Sequence, residues 1–312
     1  AAIRVWADDT LVYTSPEGEE HVPTSVWHFI PMEKCRGAET ITIELTHYFS
    51  NGSFQLDAPY LDTTSAIQHT LIEQNSLVIT FCAICILLTF GLFICGAVLY
   101  RWRSGAHQQL LALAIFVALS GLWVLLDAKI LNIFGGNLAL TYFLNYAAFL
   151  LLPVPFLLYI RFVASEGQRI LTALIWVALA NAVLSMLICL SGIATIGATL
   201  FSIHALIILS MLAAIWTFLR NKAWRRGSDL RFTFFGMLLI SACVLVSLVF
   251  FYLRGFNTSS ASALYPLGLS LLFIFMAVDA LTVFGRFWRQ KDIAERYRRL
   301  AMEDSMTGMN NC

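Results

Sequence analysis

Charge is scarce in this chain. Only 12% of its 312 residues are Asp, Glu, Lys or Arg, against 59% hydrophobic residues and a mean hydropathy of +0.76. Soluble chains average about a quarter charged residues, so this one has too little polar surface to cover itself in water and must face lipid. Paired cysteines are missing as well. The seven cysteines lie at positions 35, 82, 85, 95, 189, 243 and 312. The lone C-x-x-C pair, Cys82 with Cys85, sits in an apolar run with no second pair to complete a site, which supports neither a zinc site nor a disulfide framework. Nor is there an internal repeat, or a pair of broken hydrophobic segments in corresponding halves, of the kind that marks many transporters.

What the chain does have is a series of charge-free runs. No charged residue falls between Glu73 and Arg101, Arg103 and Asp127, Lys129 and Arg161, Arg169 and Arg220, Arg231 and Arg254, or Arg254 and Asp279. Each run exceeds the ~20 residues that a helix needs to cross a bilayer, and the fourth is about twice that length. Ser191-Gly192 followed by Ala194-Thr195 divides the fourth run in two. The sequence therefore predicts seven spans, near 76–100, 108–128, 137–162, 169–190, 196–219, 231–253 and 262–286.

The net charge of +1 hides an uneven layout, because residues 1–75 hold eleven acids against Arg4, Lys34 and Arg36. Alternate connections collect Arg101 and Arg103, Arg161 and Arg169, then Arg220, Lys222, Arg225, Arg226 and Arg231, and finally six bases from Arg286 onward. The opposite connections hold only Lys129 and Arg254. Fifteen bases against two predict an N-terminus outside and a C-terminus in the cytoplasm. In the run 220–226, Trp224 among the bases reads as an anchor to anionic lipid at headgroup level rather than as a nucleic-acid contact.

The outer segment alternates in strand fashion, most clearly at Ile41, Ile43 and Leu45 against Thr42, Glu44 and Thr46. Ile3 and Val5 lead through Ala7-Asp8-Asp9-Thr10 into Leu11-Val12-Tyr13, and 26–30 and 54–56 supply further short strands. The expected fold class is mainly α: a polytopic membrane protein with seven transmembrane helices behind an extracytoplasmic β-rich portion. Its expected organisation is 1–74 as a β-rich sensory domain, itself partial, then 75–287 as the seven-helix domain and 288–303 as a cytoplasmic signalling helix. In that helix Ile293, Tyr297 and Leu300 are spaced four and three apart with Arg and Glu between them, which makes one apolar stripe. Such a stripe suits a dimer, although it is too short to establish a coiled coil.

The last nine residues, Asp304-Ser305-Met306-Thr307-Gly308-Met309-Asn310-Asn311-Cys312, resemble the opening of a GGDEF domain, the diguanylate cyclase module. That opening typically reads Asp-x-Leu-Thr-Gly-Leu-x-Asn-Arg after a charged linker helix. Asp304, Thr307, Gly308 and Asn311 match it, Met306 and Met309 replace leucines, and Cys312 stands where the family has Arg. Together with the outer β-domain, the seven spans and the short helix, the layout is similar to bacterial seven-transmembrane receptors that carry intracellular signalling modules. The resemblance implies a β-sandwich-like, jelly-roll outer portion, a bacterial inner (plasma) membrane, and a homodimer formed through the cytoplasmic helix and the cyclase domains. It also implies an activity, in which two GTP, each held with Mg²⁺, are joined into cyclic di-GMP. The signature loop, metal-binding carboxylates and guanine-binding residues of such a domain would lie beyond Cys312. The stretch 1–312 is therefore expected to sense and transmit, with no catalytic residue, metal ligand or cofactor of its own.

Several residues stand out against this background. Tyr142, Asn145, Tyr146, Asn181 and His204 are polar groups within apolar spans, and they either line an outward-facing ligand pocket or hold helices together by hydrogen bonds. His204 has Leu200 and Ile208 one turn away, so no metal-ligand pair forms on its face. Asp279 lies about two turns before Arg286 and is costly at that depth; it pairs with Arg286, reaches water, or has a functional role. With Arg286, Ile293, Tyr297 and Leu300 it makes a candidate signalling path. Pro153 and Pro155 predict a kink in the third span. The outside ligand is not specified by the sequence; Trp6 and Trp27 would suit a carbohydrate if they are on the surface and a core if they are not. The rival readings are a receptor with another output such as a histidine kinase, although no phospho-acceptor His follows Leu300, and a membrane transporter. No nucleic-acid partner is expected.

Overall fold

The computed structural model describes residues 2–14, 28–30, 32–46, 61–102, 106–133, 138–164, 166–194, 196–225, 230–253 and 264–302. The strand-like alternation near the N-terminus folds as three antiparallel strands, β1 (Ala2–Ala7), β2 (Thr10–Thr14) and β3 (Ile41–Thr46), in the order β2-β1-β3. Val5 of the central strand pairs with both Tyr13 and Ile43 and is buried, and Ala7, Val12 and Cys35 form a small buried cluster. The β1–β2 turn needs a positive φ at Asp8, a conformation that Asp tolerates. The Asp8 carboxylate then accepts the Thr40 N–H at 3.0 Å and the Thr40 hydroxyl at 3.1 Å, which ties this turn to the start of β3.

Among the described residues fewer strands form than the alternation suggests. Residues 28–30 carry no strand, and 54–56 lie outside the described residues, as does Trp27. The described portion is thus a small three-stranded sheet and not a sandwich, which needs a second sheet to cover its inner face.

Among the described residues every charge-free run carries helix, because a backbone in hydrocarbon must satisfy its polar groups within the segment. After α1 (Thr64–Gln74) come α2 (Ser76–Arg101), α3 (Ala106–Asp127) and the short α4 (Ile130–Ile133). The third span is split into α5 (Leu138–Leu151) and α6 (Pro153–Val163). Leu152 between them keeps helical φ and ψ and its N–H still bonds the Ala148 carbonyl at 3.2 Å, so at the expected kink Pro153, which has no N–H to donate, interrupts the hydrogen-bond ladder within one span. Then follow α7 (Gln168–Leu190), α8 (Ile196–Arg220), α9 (Arg231–Leu253) and α10 (Leu264–Met302). Among the described residues, seven helical segments are long and apolar enough to cross a bilayer, the pattern of a multi-pass membrane protein. The last span and the charged helix after it are one helix of 39 residues, with no break at the domain boundary expected near 287.

Small residues set two of the helix contacts. A Cβ on Gly121 of α3 would lie 2.8 Å from the Cys85 Cβ of α2, and one on Gly268 of α10 would lie 2.8 Å from the Ile240 Cδ1 of α9. Close backbone approach at glycine is how membrane helices gain packing contacts where lipid is as apolar as their side chains. Leu113, Leu157, Ile160, Phe218 and Met237 are fully buried between the spans, whereas Phe90, Ile94, Trp176 and Leu187 face outward.

Candidate functional site

The spans bring polar side chains together at both ends of the bundle. At the end where α7 gives way to α8, Tyr146 of α5 is buried and its hydroxyl hydrogen-bonds the Thr199 hydroxyl of α8. The Cys189 thiol of α7 lies 4.0 Å from the same Thr199 oxygen, and Tyr142 neighbours both Tyr146 and Cys189. Asn145, one residue before Tyr146, donates from Nδ2 to the Asp127 carboxylate at the end of α3, at a long 3.5 Å. Its Oδ1, like the Asn181 Nδ2 on α7, is buried with no hydrogen-bond partner among the described residues.

His204 belongs to a neighbouring aromatic group. Its Nδ1 is 3.0 Å from the Tyr252 hydroxyl of α9, and the rings of Phe149, Phe251 and Tyr252 surround it edge-on with centroids 5.4–5.9 Å away. The five residues singled out from the sequence therefore do not converge on one point. They divide into a Tyr142–Tyr146 group, an Asn145–Asp127 contact, Asn181 alone, and a His204 cage. Thr199, Cys189, Asp127 and Tyr252 are the partners that the sequence reading missed. Of these only Asp127 carried a signal, as a rare charge bounding a span, and Thr199 and Cys189 look like any other small residue of a membrane helix.

The other end of the bundle gathers the basic connections, and here Asp279 of α10 takes an unexpected place. It is 3% exposed, so it does not reach bulk water, and its Oδ2 accepts the backbone N–H of Thr233 at 2.6 Å. Thr233 is the third residue of α9, and N–H groups in a first helical turn have no carbonyl of their own helix to bond. Asp279 thus acts as an N-cap supplied by a different helix, where the positive end of the α9 dipole also favours its charge. Tyr159 of α6, itself buried, neighbours the carboxylate and the Thr233 hydroxyl. That hydroxyl approaches Tyr159 without completing a hydrogen bond. Asp279, Tyr159 and Gln109 also line a cavity of about 20 Å³, the size of one water molecule. Gln109 joins the group from α3, its Nε2 bonded to the Phe162 carbonyl at 2.9 Å.

Along the rest of α10, Arg286 is exposed on the helix, Ile293 is 51% exposed and Tyr297 69% exposed. The side chain of Leu300 and all of Asp304, Thr307, Gly308 and Asn311 lie outside the described residues. Asp292 with Arg296 at 2.9 Å, and Lys291 with Glu295 at 3.9 Å, line the polar side as i,i+4 pairs. No group of three or more His, Cys, Asp or Glu residues that could hold a metal comes together among the described residues. The chain matches no family model, no curated protein and no solved structure.

Proposed function

We propose that this chain is the sensing and transmitting part of a bacterial inner-membrane receptor whose cytoplasmic output is a diguanylate cyclase. Its N-terminal β module, in this reading part of a jelly roll, lies outside the cell and receives a ligand. The seven spans hold two alternative packings, and α10 carries the difference into the cytoplasm, where it sets how two cyclase domains meet. A ligand shifts such a balance only by binding the two packings with different affinity.

The observation that carries the proposal is the unbroken course of α10 from the last span through Ile293 and Tyr297 to Met302, directly ahead of the Asp304-to-Asn311 stretch that resembles a GGDEF opening. A continuous helix transmits rotation, whereas a loop would absorb it. The helix-to-helix hydrogen bonds Tyr146–Thr199 and His204–Tyr252 support an adhesive role for those residues, and in this reading the ligand is recognised by the outer module.

The test uses the full-length protein in membranes supplied with GTP and Mg²⁺. Deleting Gln290 and Lys291 turns everything downstream by about 200°, at ~100° per residue. Deleting a whole heptad leaves the phase within about 20°. A large change of cyclic di-GMP output for the first deletion and a smaller one for the second is expected. Equal effects would remove the rotational mechanism, and a full-length chain without a GGDEF-type loop would remove the cyclase in favour of a kinase output or a transporter.

A further inference from the structure

The outer module reaches the membrane through α1, and α1 is welded to α2. Asn75 between them donates its backbone N–H to the Leu71 carbonyl at 3.2 Å and its side-chain amide to the same oxygen at 2.8 Å, while its own carbonyl accepts from Ile79 at 3.0 Å. Leu71 is buried with Ile130, and Phe29 of the outer segment packs against that pair. From this joint α2 runs as one helix of 26 residues, about 39 Å at 1.5 Å per residue, to the basic end of the bundle.

At that far end the next residue, Trp102, meets α10. Its ring stands edge-to-face on Trp288, with centroids 4.7 Å apart and planes at 89°, and the Phe284 ring also packs on Trp288, with centroids 6.2 Å apart. The Lys291 ammonium lies 4.3 Å from the centre of the Trp102 ring and 5.6 Å from that of Trp288. This contact sits just beyond the membrane portion of α10 and just before the exposed Ile293 and Tyr297. We infer that Trp102, Trp288 and Lys291 form a latch by which α2, the helix joined to the outer module, holds the signalling part of α10 in one rotational setting.

Both parts of the latch depend on direction. An edge-to-face aromatic pair and an ammonium over a ring face are each lost when a helix turns by one residue, about 100°. A movement of α2 along or about its axis therefore releases α10 instead of bending it gradually. The regulatory meaning of the latch rests on the receptor reading proposed above, although its existence does not. A generic belt of interfacial tryptophans and lysines would hold each side chain to lipid headgroups independently of the others.

The latch is tested on the 312-residue chain in lipid nanodiscs by hydrogen–deuterium exchange over residues 286–302. Loss of a cation–aromatic contact at a partly exposed site predicts exchange about two- to fivefold faster in Trp102→Ala and Lys291→Gln. Trp102→Phe and Lys291→Arg keep a ring face and a cation and should restore most of the protection, even if the alanine variant proves poorly stable. Trp216→Ala serves as the control, since its indole, on α8, holds Arg220 at 4.8 Å at the same end of the bundle and lies against Gly167. Unchanged exchange in the Trp102 and Lys291 variants, or the same acceleration in Trp216→Ala, would overturn the latch. Because exchange is read without the cyclase, the latch and the receptor reading can fail separately; cyclic di-GMP output of the same variants at full length tests the latter.

Discussion

Asp279 of α10 caps the first turn of α9 through the backbone N–H of Thr233, at 2.6 Å and across a helix–helix boundary. Removing it strands a buried donor and loses a charge matched to the helix dipole. Asp279→Ala should lower stability by about 1–3 kcal/mol, the cost of leaving a buried polar group unsatisfied. Asp279→Asn keeps an acceptor oxygen and should cost less. Thermal unfolding in detergent checks the order; equal losses for the two variants would mean that the cap contributes nothing beyond side-chain volume.

Glycine placement predicts a contrast between positions. A methyl group on Gly268 meets Ile240 and Cys243, and one on Gly121 meets Cys85, each with a first contact at 2.8 Å, whereas Gly91 has nothing within 4 Å. Overpacking of this kind costs about 1–3 kcal/mol. Gly268→Ala and Gly121→Ala should therefore lower the unfolding temperature, and Gly91→Ala should leave it unchanged or raise it. A uniform response at all three positions would contradict the close helix crossings.

The Tyr146–Thr199 contact tests adhesion against ligand binding. Interhelical hydrogen bonds in membranes average about 0.6 kcal/mol and reach about 1.7 kcal/mol. Tyr146→Phe and Thr199→Val should each lose an amount in that range, and the double variant should lose no more than either one. Additive losses would show that the two hydroxyls act apart, as they would in contact with a separate ligand.

The N-terminal sheet should respond to acid in two steps. Burial pushes the His28 imidazole below its usual range, with Nδ1 2.9 Å from the Tyr13 hydroxyl. A histidine whose folded value is depressed adds stability that is full above its unfolded value of about 6.5 and is lost as pH falls through the folded value. The backbone and side-chain hydrogen bonds from Thr40 hold the Asp8 carboxyl below its usual range, so its contribution persists down to about pH 4 and disappears below that. Amide protection of β1 should thus fall on going from neutral pH to mild acid in the wild type and much less in His28→Gln. Asp8→Asn should alter only the more acidic step. A wild-type profile that stays flat through mild acid would rule out the histidine contribution.

The helices were legible because lipid imposes a length and a composition on them. Residues 231–253 were bounded by their arginines to the residue, and the interrupted hydrogen-bond ladder at Pro153 followed from a missing N–H. The sheet was harder to read. Alternation marks a strand but not its neighbour, and β1 pairs with β3 across a long loop in a ladder that the bonds of Asp8 to Thr40 close at one end. Of the candidate polar residues, each one's presence in a span was plain, but its partner was not. Tyr146 and Thr199 are 53 positions apart and His204 and Tyr252 are 48 apart, and their meeting depends on how helices rotate and cross.

By itself, then, the sequence determined that this is a multi-pass membrane protein, how many helices are long enough to cross a bilayer and where they lie, and which side chains are too polar to be ordinary lining. Those are properties of one segment against its solvent, since hydrocarbon tolerates neither open backbone groups nor stray charge. Only the tertiary structure decided that Asp279 is a cap for another helix and not a surface acid, and that Trp102 meets Trp288 across 186 positions. The partner of Asp279 is a backbone N–H, which every residue except proline has, so no residue type announces it, and the meeting of two indoles depends on the relative rotation of α2 and α10, which neither helix encodes alone.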